Sequence, residues 1–254
     1  MRKVFLVIVT TCLNFLCFSQ NLNFYGFFPS YSQIGTINRR LDYNFFASVN
    51  NSAFAKTLAE TYYPPKILQV YFQPSIIYKF SPNLDFAASI TYNYQRINPD
   101  APYVKEWRPW QQVVFSHTIL TRARLSHRVR FEQRFQKNTL TEVQSFVLRL
   151  RYQIGYMMPL QGKTLDTNEF YLNAYNESYF TLSNPATNPR VAFYSENWTY
   201  IGIGYNTAKL GRIEIGPLYQ TAYINPQHDR RNLCLLQLLW VTTFNPKKRI
   251  NPKS

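Results

Sequence analysis

The sequence predicts an all-β chain folded as a transmembrane, antiparallel, up-and-down β-barrel of ten to twelve strands, with twelve favoured. Three observations lead there. First, residues 122–136 alternate strictly without a turn residue. Arg124, Arg128, Arg130, Glu132 and Arg134 share one parity, and Leu125, Val129, Phe131 and Phe135 share the other. At helical spacing these arginines would scatter around the axis, so the period is two. Second, a run of this length exceeds the five or six residues usual in soluble sheets and suits a tilted strand crossing a bilayer. Third, the chain holds 20 Tyr and 20 Phe, and aromatic girdles mark membrane barrels at both interfaces.

The elements follow in order along the chain. Residues 2–3 are Arg and Lys, an apolar run follows from Val4 to Cys17, and small residues stand at Cys17 and Ser19. This is the pattern of a secretory leader over residues 1–19, too short to span as a helix. Residues 20–244 form the barrel region and 245–254 a polar C-terminal tail. Asn23–Ile37 is Tyr-rich and extended but interrupted by Pro29, which is why it is expected to divide into two strands. Arg40–Val49 alternates cleanly, and residues 50–66 form a long loop ending in Pro64-Pro65. Ile67–Phe80 and Leu84–Arg96 make a hairpin around Ser81-Pro82-Asn83. Residues 97–109, rich in Pro and charge, read as a loop. Trp110–Leu120 and Ala123–Gln136 form the next hairpin, and Val143–Tyr156 repeats the alternation with Arg149 and Arg151 on one parity. Asn168–Tyr179 places Glu169, Tyr171, Asn173, Tyr175 and Glu177 together. After a loop with Pro185 and Pro189 come Arg190–Tyr205, Leu210–Tyr223 and Arg231–Phe244.

These are eleven segments. Single-chain bacterial barrels have an even number of strands, and dividing the first segment at Pro29 yields twelve. Short turns near 38–39, 81–83, 121–122 and 206–209 alternate with long connections at 50–66, 97–109, 180–190 and 224–230. Short periplasmic turns and longer outer loops are the rule for such barrels. The short 137–142 and the long 157–167 connections depart from it.

Two of the three cysteines lie in the leader, so Cys234 has no intramolecular partner and no cysteine metal site can form. Removing Arg2 and Lys3 lowers the formal charge from +15 to +13. An exported chain does not meet nucleic acid, so the partners expected of this charge are outer-membrane lipid and lipopolysaccharide phosphates, or an anionic solute. No cofactor motif, phosphate loop or metal spacing is present. Gly202 and Gly204 lie two apart in a strand, where they would make room for a large side chain of the same parity, Trp198 or Tyr200.

The candidate site is a lumen charge cluster of Arg124, Arg128, Arg130, Glu132, Arg134, Arg149, Arg151 and Glu169. It can act as an anion-attracting lumen, or as a lattice in which Arg and Glu lace neighbouring strands and fill the interior. No catalytic residues are assigned. His127 lies on the apolar parity, but no serine motif accompanies it, and Ser116 and His117 point to opposite faces.

The Arg-Val-Arg-Phe-Glu-Gln-Arg-Phe run at 128–135, Arg-Leu-Arg-Tyr at 149–152 and Asn-Glu-Phe at 168–170 resemble a Bacteroidota outer-membrane barrel family, domain of unknown function 2490. Asn197 and Gly202-Ile203-Gly204-Tyr205 also fit its pattern, with Trp198 standing where the family has Arg. The resemblance implies a barrel in a Gram-negative outer membrane and no established activity. The expected role is a structural or accessory subunit of an envelope assembly, with other envelope proteins as partners. The alternatives are a narrow anion-preferring channel, an outer-membrane lipid-modifying enzyme, and a soluble lipocalin-like binder with the apolar parity turned inward.

Overall fold

A computed structural model describes residues 21–56, 64–183, 193–223 and 230–244. The leader at 1–19, the tail at 245–254 and the loop prolines Pro185 and Pro189 lie outside the described residues.

Eleven strands close into one barrel: β1 (Asn21–Thr36), β2 (Leu41–Lys56), β3 (Lys66–Ser81), β4 (Leu84–Gln95), β5 (Val104–Ile119), β6 (Ala123–Asn138), β7 (Gln144–Pro159), β8 (Glu169–Thr181), β9 (Tyr194–Thr207), β10 (Gly211–Tyr223) and β11 (Arg230–Phe244). Sequence neighbours pair throughout, and β1 closes the cylinder against β11. With an odd number of up-and-down strands the first and last run the same way. Their pairing is therefore parallel, in unbroken register from Asn21↔Arg230 to Gly35↔Phe244. All other pairs are antiparallel.

The favoured count of twelve is thus corrected to eleven, because Pro29 does not divide β1. Pro29 faces outward, and the ladder to β2 skips Phe28 and Pro29 between Phe27↔Asn51 and Ser30↔Ser48. The same gap occurs beside Pro74 on β3, Pro109 on β5 and Pro217 on β10. A proline lacks only its own N–H. A sixteen-residue strand keeps its place by the bonds on either side of such a gap.

A second correction concerns residues 97–109. β5 begins at Val104, six residues before the expected Trp110. The charged Glu106 and Arg108 looked like loop residues, yet both are buried inside the barrel.

The alternation of faces is as the parity implies. On β6 Arg130 and Glu132 are buried, while Val129 and Phe135 are exposed on the outer surface. Around the circumference Phe27, Phe72, Ile90, Trp107, Phe146, Ile201, Ile215 and Leu238 are exposed in the same way. The lipocalin-like arrangement, apolar within and basic without, is not the one found on β6 and β7. Strands β2, β4, β6, β8 and β10 finish at one end, where β1 begins. The connections at the other end, where β11 finishes, are 37–40, 82–83, 120–122, 160–168 and 208–210.

Candidate functional site

The inward faces of β5–β8 carry a lattice of arginine and glutamate. Its register places Arg130 opposite Arg151 and Glu132 opposite Arg149 on β6 and β7. Like charges facing each other destabilise a sheet, so the glutamates are what make this wall possible. Glu132, 0% exposed, accepts from Arg149 Nε at 2.7 Å and from Arg151 Nη1 at 2.8 Å. Arg108 Nη1 and Arg130 Nη1 stand at 3.7 and 4.0 Å from the same carboxylate.

Two further glutamates extend the lattice to either side. Glu177 on β8 is gripped by Arg151 through Nε and Nη2 at 2.8 and 2.7 Å, and it also accepts from Arg128 Nη2 and Tyr179 Oη. Glu106 on β5 takes a forked pair from Arg134 at 2.8 and 3.0 Å and a bond from Arg108 Nε at 2.6 Å. Two-pronged guanidinium–carboxylate contacts fix orientation as well as charge. Arg149 also reaches Glu196 on β9 at 3.1 Å. Aromatic faces complete the packing: Arg130 lies 3.8 Å from the centre of the Trp110 ring, and Arg149 and Arg151 both lie over Tyr179.

Seven of the eight expected site residues share this wall. Arg128, Arg130, Glu132, Arg134, Arg149 and Arg151 belong to the lattice, and Arg124 bonds Ser116 Oγ beside it. Glu169 does not join them. It opens β8 at the other end, where its carboxylate accepts the Asp166 amide at 3.0 Å. Its parity was right, but its depth along the strand was not visible from alternation. Glu106 and Arg108 were missed because a dense Pro and charge composition masked the start of β5. Glu214 is held by the Asn173 amide, 3.0 Å to each oxygen.

The opposite wall is apolar. Phe24, Phe28, Leu68, Tyr200, Leu218, Leu233 and Leu235 form a buried cluster, with Tyr175 and Trp198 packed against it. Leu68 joins through a bulge where Asn50↔Gln69 is followed by Asn51↔Ile67, which turns this residue inward. Gly202 gives space to the Tyr200 ring, and Gly204 to Tyr171 rather than to Trp198. Between the walls lies a cavity of about 990 Å³. It runs from Asn138, Thr141 and Arg231, at the end where β1 begins, to Arg124, Met157 and Leu239. Among the described residues nine arginines line it, together with Glu177 and Glu196.

On the outer surface His127 Nδ1 lies 2.8 Å from Tyr152 Oη, and the His117 ring stacks beside it at 6.1 Å. A second outward group, Asn176, Ser178, Asn197 and Thr199, is mutually hydrogen-bonded. Asn23, Thr221 and Asn232 continue it across β10, β11 and β1. No three His, Cys, Asp or Glu side chains are grouped to hold a metal among the described residues.

A family described as a protein of unknown function (DUF2490) matches residues 26–232. The chain belongs to this family. No curated protein and no solved structure matches it. The matched region includes every residue of the lattice and, of the apolar cluster, Phe28, Leu68, Tyr200 and Leu218, whereas Phe24, Leu233 and Leu235 lie just outside it.

Proposed function

We propose that this DUF2490 chain is an integral outer-membrane protein of a Gram-negative cell, exported through the leader at 1–19, with a structural or accessory role in the envelope. The observation that carries this reading is the outward belt of exposed aromatic and branched side chains on a closed barrel. Water would leave so large an apolar surface unsatisfied. Acyl chains would accept it, and a closed barrel has no unpaired edge to offend them. The row Ser178–Asn197–Thr221–Asn232–Asn23 runs across paired positions within three residues of the strand ends. There Ser178, Asn197 and Asn23, which are partly exposed, would meet headgroups or a neighbouring envelope protein, and the buried Thr221 and Asn232 link them. Lipid and lipopolysaccharide are the partners this surface fits.

The experiment is refolding of the full mature chain into phospholipid vesicles, read by heat-modifiable migration and by protection from protease. A folded, protected barrel is expected. A chain that stays soluble and folded without detergent or lipid contradicts the reading. Co-purification from native membrane in mild detergent tests the accessory role, and recovery of the barrel alone counts against it.

A second reading, a narrow anion-preferring passage, draws on the excess of arginine over glutamate around the cavity. Planar-bilayer conductance with Arg128→Glu and Arg130→Glu tests it. Absence of conductance, or no change in ion preference, removes it. The lipid-modifying alternative needs a nucleophile beside His127, and Tyr152 is the group hydrogen-bonded there.

A further inference from the structure

We propose that the lumen cavity binds one anionic amphiphile, an acyl chain ending in a carboxylate or phosphate, with its head at Arg128 and Arg130 and its tail along Phe28, Leu68 and Trp198. The inference rests on the membrane reading above and adds a ligand to it.

The cationic wall keeps unspent capacity. Arg130 is 4% exposed and has no carboxylate nearer than the 4.0 Å of Glu132. Its donors go instead to two neutral amide oxygens, Gln112 Oε1 at 2.7 and 2.9 Å and Gln73 Oε1 at 3.1 Å. Arg128 gives one nitrogen to Glu177, but its Nε is buried without an acceptor among the described residues. Arg231 Nε, at the cavity end where β1 begins, is in the same condition. A guanidinium withdrawn from water and held by neutral oxygens, as Arg130 is, favours an incoming anion, since the bond to an anion is stronger than the one it replaces.

A simple anion would use only that side. The facing side offers Phe28, Leu68 and Trp198 to the same cavity. The two are joined without a gap, because Tyr179 bonds Glu177 and its ring lies 5.4 Å from Trp198, which in turn meets Phe28 at 6.3 Å. A cavity of about 990 Å³ is at the upper end of the range, about 300–1,000 Å³, that encloses small organic ligands. One cationic wall, one apolar wall and that volume together specify an amphiphile with a negative head.

Tryptophan quenching reads this directly. Trp107 and Trp240 are exposed on the outer surface, whereas Trp110 and Trp198 are inside. In a Trp107→Phe, Trp240→Phe background, the full mature chain is refolded into phosphatidylcholine vesicles and titrated with 11-bromoundecanoate. Saturable quenching is expected, competed by dodecanoate and dodecyl phosphate and absent with 11-bromoundecanol. Arg128→Gln, which leaves the Arg151–Glu177 pair intact, should weaken the half-saturation concentration by about tenfold or more, as expected for a lost charged hydrogen bond. Arg130→Lys, which keeps the charge, should weaken it less. Equal competition by inorganic phosphate would make this a free-anion site and overturn the amphiphile. Unsaturable quenching in a barrel shown folded by heat-modifiable migration would overturn the inference and leave the membrane reading standing. A chain that never enters the vesicles fails the membrane reading instead.

Discussion

Across β5–β8 the lumen wall is built from charge, with Glu106, Glu132 and Glu177 each holding two or more guanidinium groups. Across β9–β11 and β1 it is built from Phe24, Leu218, Leu233 and their neighbours, none more than slightly exposed. The strands on the two sides have similar lengths and the same outward apolar face. They differ in what the hydrogen-bond ladder leaves to be done. Antiparallel β6 and β7 pair without interruption from Arg124↔Met157 to Lys137↔Gln144, and their side chains need only balance charge. The parallel β1–β11 seam makes slightly weaker ladder bonds, and there apolar packing inside is joined by contacts outside. Tyr31 Oη meets Thr242 Oγ1 at 2.9 Å, Asn232 Nδ2 donates to Asn23 Oδ1 at 2.9 Å, and the Tyr31 and Trp240 rings lie 5.2 Å apart. An odd-stranded cylinder thus closes beside the apolar cluster of its interior.

The largest effect should come from breaking the charged wall. Glu132→Gln leaves Arg149 and Arg151 without their shared carboxylate and should cost about 3–5 kcal/mol, read by urea unfolding of the vesicle-embedded barrel. Glu132→Asp, too short to span the same nitrogens, should not restore it. Leu233→Ala at the seam should cost about 2–5 kcal/mol, and here Leu233→Met should recover nearly all of it because the wall asks only for volume. If Glu132→Asp is tolerated as well as Leu233→Met, the two walls do not differ in kind.

The outer face supplies the third expectation. Val129→Arg should destabilise the embedded barrel by about 2–4 kcal/mol if this position lies at mid-bilayer, whereas Gln133→Leu on the same face should be close to neutral, measured by the same unfolding. The smallest effect concerns fit. Gly204→Ala collides with the Tyr171 ring and should cost about 1–3 kcal/mol. Tyr171→Leu in the same chain should recover most of that loss, again by urea midpoint.

Much of the charged wall was legible because β-strand parity is a local property. Seven residues on β6 and β7 reached the lumen for no reason beyond alternation, and Val129 and Phe135 went outward for the same one. What was not legible depends on neighbours. Pro29 resembled a break because a single strand does not reveal which side of it carries a ladder. Glu106 and Arg108 resembled a loop because charge near Pro109 is ordinary at a surface, and the forked contact that Glu106 accepts comes from Arg134, 28 residues away. Leu68 reached the interior through a bulge set by β2. The parallel seam is the least local feature of all, since it follows from the strand count of the whole chain.

The central claim is that the apolar parity of β6 touches acyl chains while the arginine parity faces the lumen. Site-directed spin labelling tests it most directly. With Cys234, the lone cysteine of residues 20–254, replaced by Ser, single cysteines at 124–135 are spin-labelled in the vesicle-embedded barrel. Collision rates with oxygen, which concentrates in lipid, and with a water-soluble nickel chelate are then compared position by position. The expected result is an oscillation of period two, with oxygen access highest at 125, 129, 131 and 135 and low at 128, 130, 132 and 134. The reverse phase, with the nickel chelate reaching 128, 130, 132 and 134 as freely as bulk water and 125, 129, 131 and 135 shielded from both, would contradict it.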